Sequence, residues 1–468
     1  MVEKRRPASQ RGYPNHLTAM KLSFSFPPVT ASLVLAALVS TLTPASGQDT
    51  NASQPFDFEA ASRNVPKPRD VWPLVRKHLV PLEWKVLANE IVVSDTDPAK
   101  QLRKITAHFW SQELAGKKWG HPCVLFLPAD PALNMTATRK GKVVIIGSPP
   151  GAYYSLHVAK FGEPIAARTG YPTMVLNNPG LYPDGAEIES DIRVLGRLAK
   201  ETGQNYYNMN CQLAVVYIQA MNALQQFLEV ETLQAVIGGH SKRGRSATVA
   251  AGIDRRVAGV VIMGNEGGYR TDRIESHLSF HHAFFQDDVT VPVMYLGATN
   301  EDGYRMFNVN LLQERLRRPM TIELIPNYCH STCSEIQFMD FLMWVAHVFD
   351  GRPITRIVDV SHRREAQRTV FTARLEGEAK PQTVKVWYVF SDDPAWRDLM
   401  WYHVLMKPVG DHYEGVLHGK LPDAFLIEVG DIAQGIPSYV SSVPHKLTDA
   451  PVVERVSRGS FPRLWSPE

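Results

Sequence analysis

Short, unbroken apolar runs punctuate the first three quarters of this chain. Seven of them, at 122–127, 142–146, 173–177, 233–237, 257–263, 291–296 and 320–325, lack the polar alternation of a half-exposed strand. That pattern belongs to strands covered on both faces. Between the runs lie stretches with helical spacing. The clearest is 208–228, where Leu213, Val216, Tyr217, Ala220, Leu224, Phe227 and Leu228 share one stripe expected to pack into the core. Another, at 336–349, closes the series. Strands alternating with helices predict a mostly parallel, doubly wound sheet with helices on both faces, an α/β architecture whose ligands bind beyond the carboxyl ends of the strands.

The period changes after Gly351-Arg352-Pro353. Runs at 369–375, 384–390, 412–417 and 424–429 alternate with turns, and no long helical stripe intervenes. This predicts a β-sandwich of the immunoglobulin or fibronectin kind, about 100 residues long. Its aromatic residues Trp387, Tyr388, Trp396, Trp401 and Tyr402 fit either a carbohydrate groove or, more commonly, sandwich core and domain interface. The expected division is 1–47, 48–355 and 356–468.

Residues 1–47 read as an export signal. Lys21 follows Met20, an apolar region runs over 29–42, and Pro44-Ala45-Ser46-Gly47 supplies small residues for cleavage. The apolar region is short for a bilayer span. The expectation is an exported, periplasmic or extracellular protein with no stable membrane insertion, translated from Met1 or Met20. Hydrophobic residues make up 44% of the 468 positions, enough for one large core and a second small one. Of 50 basic and 47 acidic residues, five basic ones (Lys4, Arg5, Arg6, Arg11, Lys21) and Glu3 precede residue 48, which leaves 45 against 46. No global attraction to nucleic acid or membrane follows.

The candidate chemistry begins at Gly239-His240-Ser241-Lys242-Arg243-Gly244, between an apolar run and the helix-competent stretch 247–251. A serine at a sharp strand-to-helix turn has its hydroxyl lifted off the sheet edge, within reach of a base. The usual elbow reads Gly-x-Ser-x-Gly; here Arg243 stands at the second glycine and Gly244 follows one residue later. Downstream, run 291–296 ends in Gly297-Ala298-Thr299-Asn300-Glu301-Asp302-Gly303, and run 320–325 leads into Pro326-Asn327-Tyr328-Cys329-His330. Nucleophile, acid and histidine thus follow the chain order Ser, acid, His. His330 is the candidate base. The candidate orienting acid is Glu301, with Asp302 and Glu266 as alternatives. Backbone amides of Lys242 and of Gly151 or Ala152, in the loop after run 142–146, are the candidate oxyanion donors. The Lys242 and Arg243 side chains fit an anionic substrate group, the oxyanion itself or, more commonly, a solvated first turn. Of four cysteines, Cys329 and Cys333 flank His330 and fit a staple or free thiols equally; Cys123 and Cys211 complete the set. Neither the cysteine spacing nor His281-His282 matches a metal-ligand pattern, and no cofactor is implied.

The elbow, Ala298-Thr299-Asn300-Glu301, Pro326-Asn327-Tyr328-Cys329-His330 and the trailing β-rich region with Trp396-Arg397-Asp398 resemble the PhoPQ-activated pathogenicity-related family of the α/β-hydrolase superfamily, from about residue 72 to about residue 443. That family commonly has Asp where Glu301 stands. The region is also similar to glucuronoyl and acetyl-xylan carbohydrate esterases, whose elbows read Gly-x-Ser-x-x-Gly and some of which take their acid from the position resembling Glu266. The resemblance implies an α/β-hydrolase fold and a serine esterase acting on a small-molecule or carbohydrate ester. It says little about substrate, because one fold hosts many chemistries. A peptidase or amidase, and a non-catalytic glycan- or partner-binding protein on the same scaffold, are the alternatives.

Overall fold

The computed structural model describes residues 65 and 67–448, apart from 66, 135, 137–138, 192, 265–281, 302–308, 311, 332–333 and 392–398. Every described residue lies within the compact unit Phe56–Glu468. The expected export signal, Glu266, Asp302, Cys333 and Trp396-Arg397-Asp398 fall outside the described residues.

Nine strands form one sheet among the described residues: β1 (Trp84–Val93), β2 (Gln101–Leu114), β3 (Lys117–Pro128), β4 (Lys142–Ser148), β5 (Thr173–Asn177), β6 (Gln234–His240), β7 (Val257–Met263), β8 (Val293–Ala298) and β9 (Thr321–Ile325). Their order is β1-β2-β3-β5-β4-β6-β7-β8-β9. The pairs from β5 onward are parallel, while β1, β2 and β3 form an antiparallel meander attached to β5. The parallel α/β sheet is therefore present, and the meander widens it beyond the expected seven runs. The first two strands escape a search for apolar runs because β1 is exposed along most of its length and β2 carries a bulge between Trp110 and Gln112.

Side-chain alternation places the helices. Val143 and Ile145 of β4 join a core with the helices Met209–Phe227 and Lys242–Ile253, whereas Val144 and Ile146 face Phe338, Phe341 and Trp344 of the helix Glu335–Asp350. Both faces are thus covered. Helix Met209–Phe227 is buried around most of its girth rather than along one stripe, because Pro68–Val75 and Lys242–Ile253 pack on the sides that the sheet leaves free. The chain leaves β4 for β5 on one side and then returns to place β6 on the other, so a topological switch point lies between β4 and β6.

The C-terminal region builds two antiparallel sheets. Its strands are β10 (Arg356–Glu365), β11 (Arg368–Glu376), β12 (Lys380–Val389), β13 (Tyr402–Leu405), β14 (Lys407–Val409), β15 (His412–His418), β16 (Ala424–Ala433), β17 (Ile436–Ser441) and β18 (His445–Lys446). One sheet runs β10-β11-β15-β14 and the other β13-β12-β16-β17, with β18 on β16. Phe371 and Ala373 of β11 share a core with Val384 and Val386 of β12 and with Phe425, Ile427 and Val429 of β16. The opposite face of the second sheet is covered too. Val389, Trp401, Ala424 and Leu426 belong to the core of the nine-stranded sheet. Trp401 is 1% exposed, which overturns a carbohydrate-groove role for it, and Trp387 is half-buried with its indole N–H donating to Glu428 at 3.0 Å. At the junction, the fully buried Arg352 donates to Asp431 at 2.8 Å, to Ser438 and to the Ile436 carbonyl, so the two parts of the fold meet across a buried ion pair.

Candidate active site

Ser241 sits between β6 and the helix Lys242–Ile253, at φ 59° and ψ −128°. A left-handed φ on a non-glycine residue costs on the order of 1–3 kcal/mol and persists only where its surroundings enforce it. Those surroundings are visible. The Ser241 amide donates to the Met263 carbonyl at 2.8 Å, and the Gly244 amide donates back to Ser241 O at 3.0 Å. The buried Tyr217 hydroxyl donates to the carbonyls of Gly238 at 2.9 Å and Arg243 at 3.2 Å, tying the end of the strand to the first turn of the helix.

The glycines explain the unusual spacing. A Cβ on Gly244 would lie 2.8 Å from the Gly239 carbonyl oxygen and 2.8 Å from Ile262 Cγ2, so Gly244 supplies the close strand-helix approach despite its shifted position. Arg243, in the place usually held by glycine, is buried. It donates to the Asn178 carbonyl and to Glu189, and Lys242 Nζ also pairs with Glu189. Burial overturns a solvated first-turn charge for Arg243, and its guanidinium pairs with Glu189. Burial raises Glu189 and the two cations outweigh it, so its carboxyl stays below the ordinary range and charged.

Glu301 and His330 leave the carboxyl ends of β8 and β9. Glu301 is 2% exposed, and its Oε2 lies 3.6 Å from His330 Nδ1. That is ion-pair range, longer than a hydrogen bond. The imidazole of His330 packs on the ring of His240, centroids 4.5 Å apart, and Tyr153 also stacks on His240 at 6.1 Å. Burial first, then the neighbouring His330, His157 and Arg243, hold His240 well below the ordinary imidazole range, so it stays neutral. Gly264, at the end of β7, fits against the pair: at φ 64°, a Cβ there would lie 3.0 Å from Glu301 Oε1 and 3.1 Å from His330 Nδ1. Gly264 also follows Met263, which accepts the Ser241 amide, so the residue beside the acid-base pair adjoins the one bonded to Ser241.

Gly151 stands across the switch point from Ser241. It precedes the helix Ala152–His157 at φ 70°, and a Cβ added there would meet open space. Among the described residues no group of three His, Cys, Asp or Glu has a geometry to hold a metal ion, and no helix is long and apolar enough to cross a membrane. Cys123 and Cys211 are buried free thiols. The roles of Gly264, Glu189 and His240 are not legible in the sequence. A backbone angle, a partner some fifty positions away and a ring stack leave no trace in local pattern.

No family model and no curated protein matches the chain. Among solved structures, it is similar to a cold-adapted esterase from an Arctic intertidal metagenomic library, at 14% identity over 57% of this chain and 99% of that one, TM-score 0.40. It is also similar to an acetyl xylan esterase from Paenibacillus sp. R4 (13% identity, 62% and 99%, TM-score 0.39) and to a glucuronoyl esterase from Solibacter usitatus (14% identity, 57% and 85%, TM-score 0.39). The functional reading therefore rests on the chain's own geometry.

Proposed function

We propose that this protein is an exported serine hydrolase of the α/β-hydrolase fold with a C-terminal β-sandwich, acting on carboxylic esters through an acyl-enzyme. One observation carries the reading. A serine in a strained left-handed elbow shares the carboxyl edge of the parallel strands with a histidine whose Nδ1 faces a buried carboxylate. In the proposed reaction Ser241 Oγ attacks the acyl carbon while His330 takes its proton. Glu301 orients the Nδ1–H, leaves Nε2 for the serine, and stabilises the imidazolium as it forms; the 3.6 Å separation closes to hydrogen-bond length as that charge develops. The neutral His240 adds no second cation beside it. Backbone amides of Lys242, the first residue of its helix, and of Gly151 or Ala152 receive the oxyanion. His330 then protonates the departing alcohol, and water activated by the same imidazole releases the acid. The likeness of the quoted motifs to the PhoPQ-activated pathogenicity-related family and to carbohydrate esterases belongs to this proposal, as does a small-molecule or carbohydrate ester as substrate.

The test pairs p-nitrophenyl acetate with p-nitroacetanilide, using wild type, Ser241→Ala and His330→Ala of matched Tm. Ester turnover that disappears in both variants supports the reading, and preferential anilide turnover moves the protein to the amidases. Turnover unchanged by Ser241→Ala overturns it.

A further inference from the structure

Asn300 and Asn327 flank the acid and the base, and both reach out of the α/β sheet. Asn300 immediately precedes Glu301; its Nδ2 donates to the Leu399 carbonyl at 2.7 Å. Asn327 lies three residues before His330. Its Nδ2 donates to the Trp401 carbonyl at 2.9 Å, and its Oδ1 accepts the Trp401 amide at 2.7 Å, so one side chain closes a reciprocal pair with one backbone residue. Asn327 adopts φ 56°, a left-handed angle that asparagine tolerates better than most residues. The two loops are also bonded to each other: the Asn300 amide donates to the Tyr328 carbonyl at 3.0 Å, the Asn327 amide to Thr299 Oγ1 at 2.9 Å, and Thr299 Oγ1 donates to Asn300 Oδ1 at 2.7 Å.

This network answers a structural need. Among the described residues β9 is an edge strand, and the loop that carries His330 has no further described strand of its own sheet beside it. The C-terminal sheets take that place. Ser441 Oγ accepts the Leu324 amide at the edge of β9 at 2.9 Å, and the 399–401 segment grips both loops, with Trp401 buried in the core of the nine-stranded sheet. Glu301 and His330 are thus held by one loop assembly whose outer anchor belongs to the C-terminal sheets.

Resting on the hydrolase reading, we propose that Asn300 and Asn327 are positioning residues through which the C-terminal 399–401 segment sets the Glu301–His330 geometry. The C-terminal sheets are then part of the catalytic framework rather than an appended binding module. Each acts through the loop it belongs to, Asn300 on the adjacent Glu301 and Asn327 on His330 three residues later.

The experiment measures kcat and KM on p-nitrophenyl acetate in the full chain, with Tm and circular dichroism as folding checks. Asn327→Gly keeps the left-handed backbone and removes both bonds to Trp401. Asn327→Asp keeps the acceptor for the Trp401 amide. Asn300→Ala removes the bond to Leu399. Because misplacement of a catalytic pair by about 1 Å costs up to 10²-fold, the expected result is a kcat loss of about tenfold or more in Asn327→Gly with KM within about twofold of wild type, and partial recovery in Asn327→Asp. Should Asn327→Gly fail to fold, Asn327→Asp and Asn300→Ala carry the test, each with a kcat loss of about threefold or more at unchanged KM. An active wild type with unimpaired kcat in the folded variants overturns the positioning role alone. A wild type without Ser241-dependent turnover overturns the hydrolase reading and this proposal with it.

Discussion

Gly264→Ala places one methyl group against the acid-base pair and leaves every titratable side chain in place. The backbone there stands at φ 64°, where an L-residue with a Cβ is disfavoured by about 1–2 kcal/mol. The new Cβ meets Glu301 Oε1 at 3.0 Å, His330 Nδ1 at 3.1 Å and His330 Cε1 at 3.3 Å, whereas ordinary contacts of this kind begin near 3.4 Å. Overpacking of a fitted site adds about 1–3 kcal/mol, so the expected destabilisation is on the order of 2–5 kcal/mol. Relief requires the carboxylate and imidazole to separate by several tenths of an ångström from a starting distance of 3.6 Å. Since misplacement by about 1 Å costs up to 10²-fold, kcat on a p-nitrophenyl ester should fall by about tenfold, with KM little changed. Denaturant unfolding and steady-state kinetics on the same preparation separate the two effects. A variant destabilised by this amount that keeps its kcat would refute a catalytic role for the Glu301–His330 pair.

Three further outcomes follow from the charges and buried imidazoles. Glu189→Ala leaves the 3% exposed Arg243 without its carboxylate, and because Glu189 is itself 28% exposed the cost should fall to about 1–3 kcal/mol by urea unfolding; an unchanged midpoint would show that solvent or the Asn178 carbonyl suffices. Burial pushes His121, His157 and His282 down to about 3 from 6.5, so below pH 6.5 the unfolded chain binds protons that the folded one does not. Stability should therefore fall as pH drops from 6.5 toward 3, by up to about 4 kcal/mol per pH unit, and a flat profile between pH 6.5 and 5 would contradict their burial as neutral rings. Burial, followed by the charges of Glu428 and Asp340, raises the Glu323 carboxyl well above 4.5, so its contribution is lost as pH rises past 4.5. Glu323→Gln should raise Tm at pH 8 and leave it nearly unchanged at pH 4; equal effects at both would contradict a shifted carboxyl.

Sequence pattern locates the parallel strands well because each is an apolar run covered on both faces; β5 and β7 coincide with their expected limits, and Ser241 and His330 fall just beyond strand ends as their chain order suggests. β1 is opaque for the opposite reason. An exposed edge strand has neither the apolar run nor the strict alternation that marks a strand. The burial of Glu301 and its distance to His330 are spatial facts that no local pattern carries, and the alternative acids Asp302 and Glu266 lie outside the described residues. Arg243 misleads because a charged letter next to a nucleophile suggests solvent or substrate, while its partner Glu189 lies some fifty positions earlier. Asn300 and Asn327 look like ordinary turn residues, and only the packing of the C-terminal sheets against β9 gives them partners.

Covalent labelling tests the central claim most directly. Folded wild-type protein treated with a fluorophosphonate and analysed by peptide mass spectrometry should carry a single adduct on Ser241, absent from Ser241→Ala and strongly slowed in His330→Ala. Folded protein that stays unlabelled, or that carries its adduct on another residue, would contradict the account.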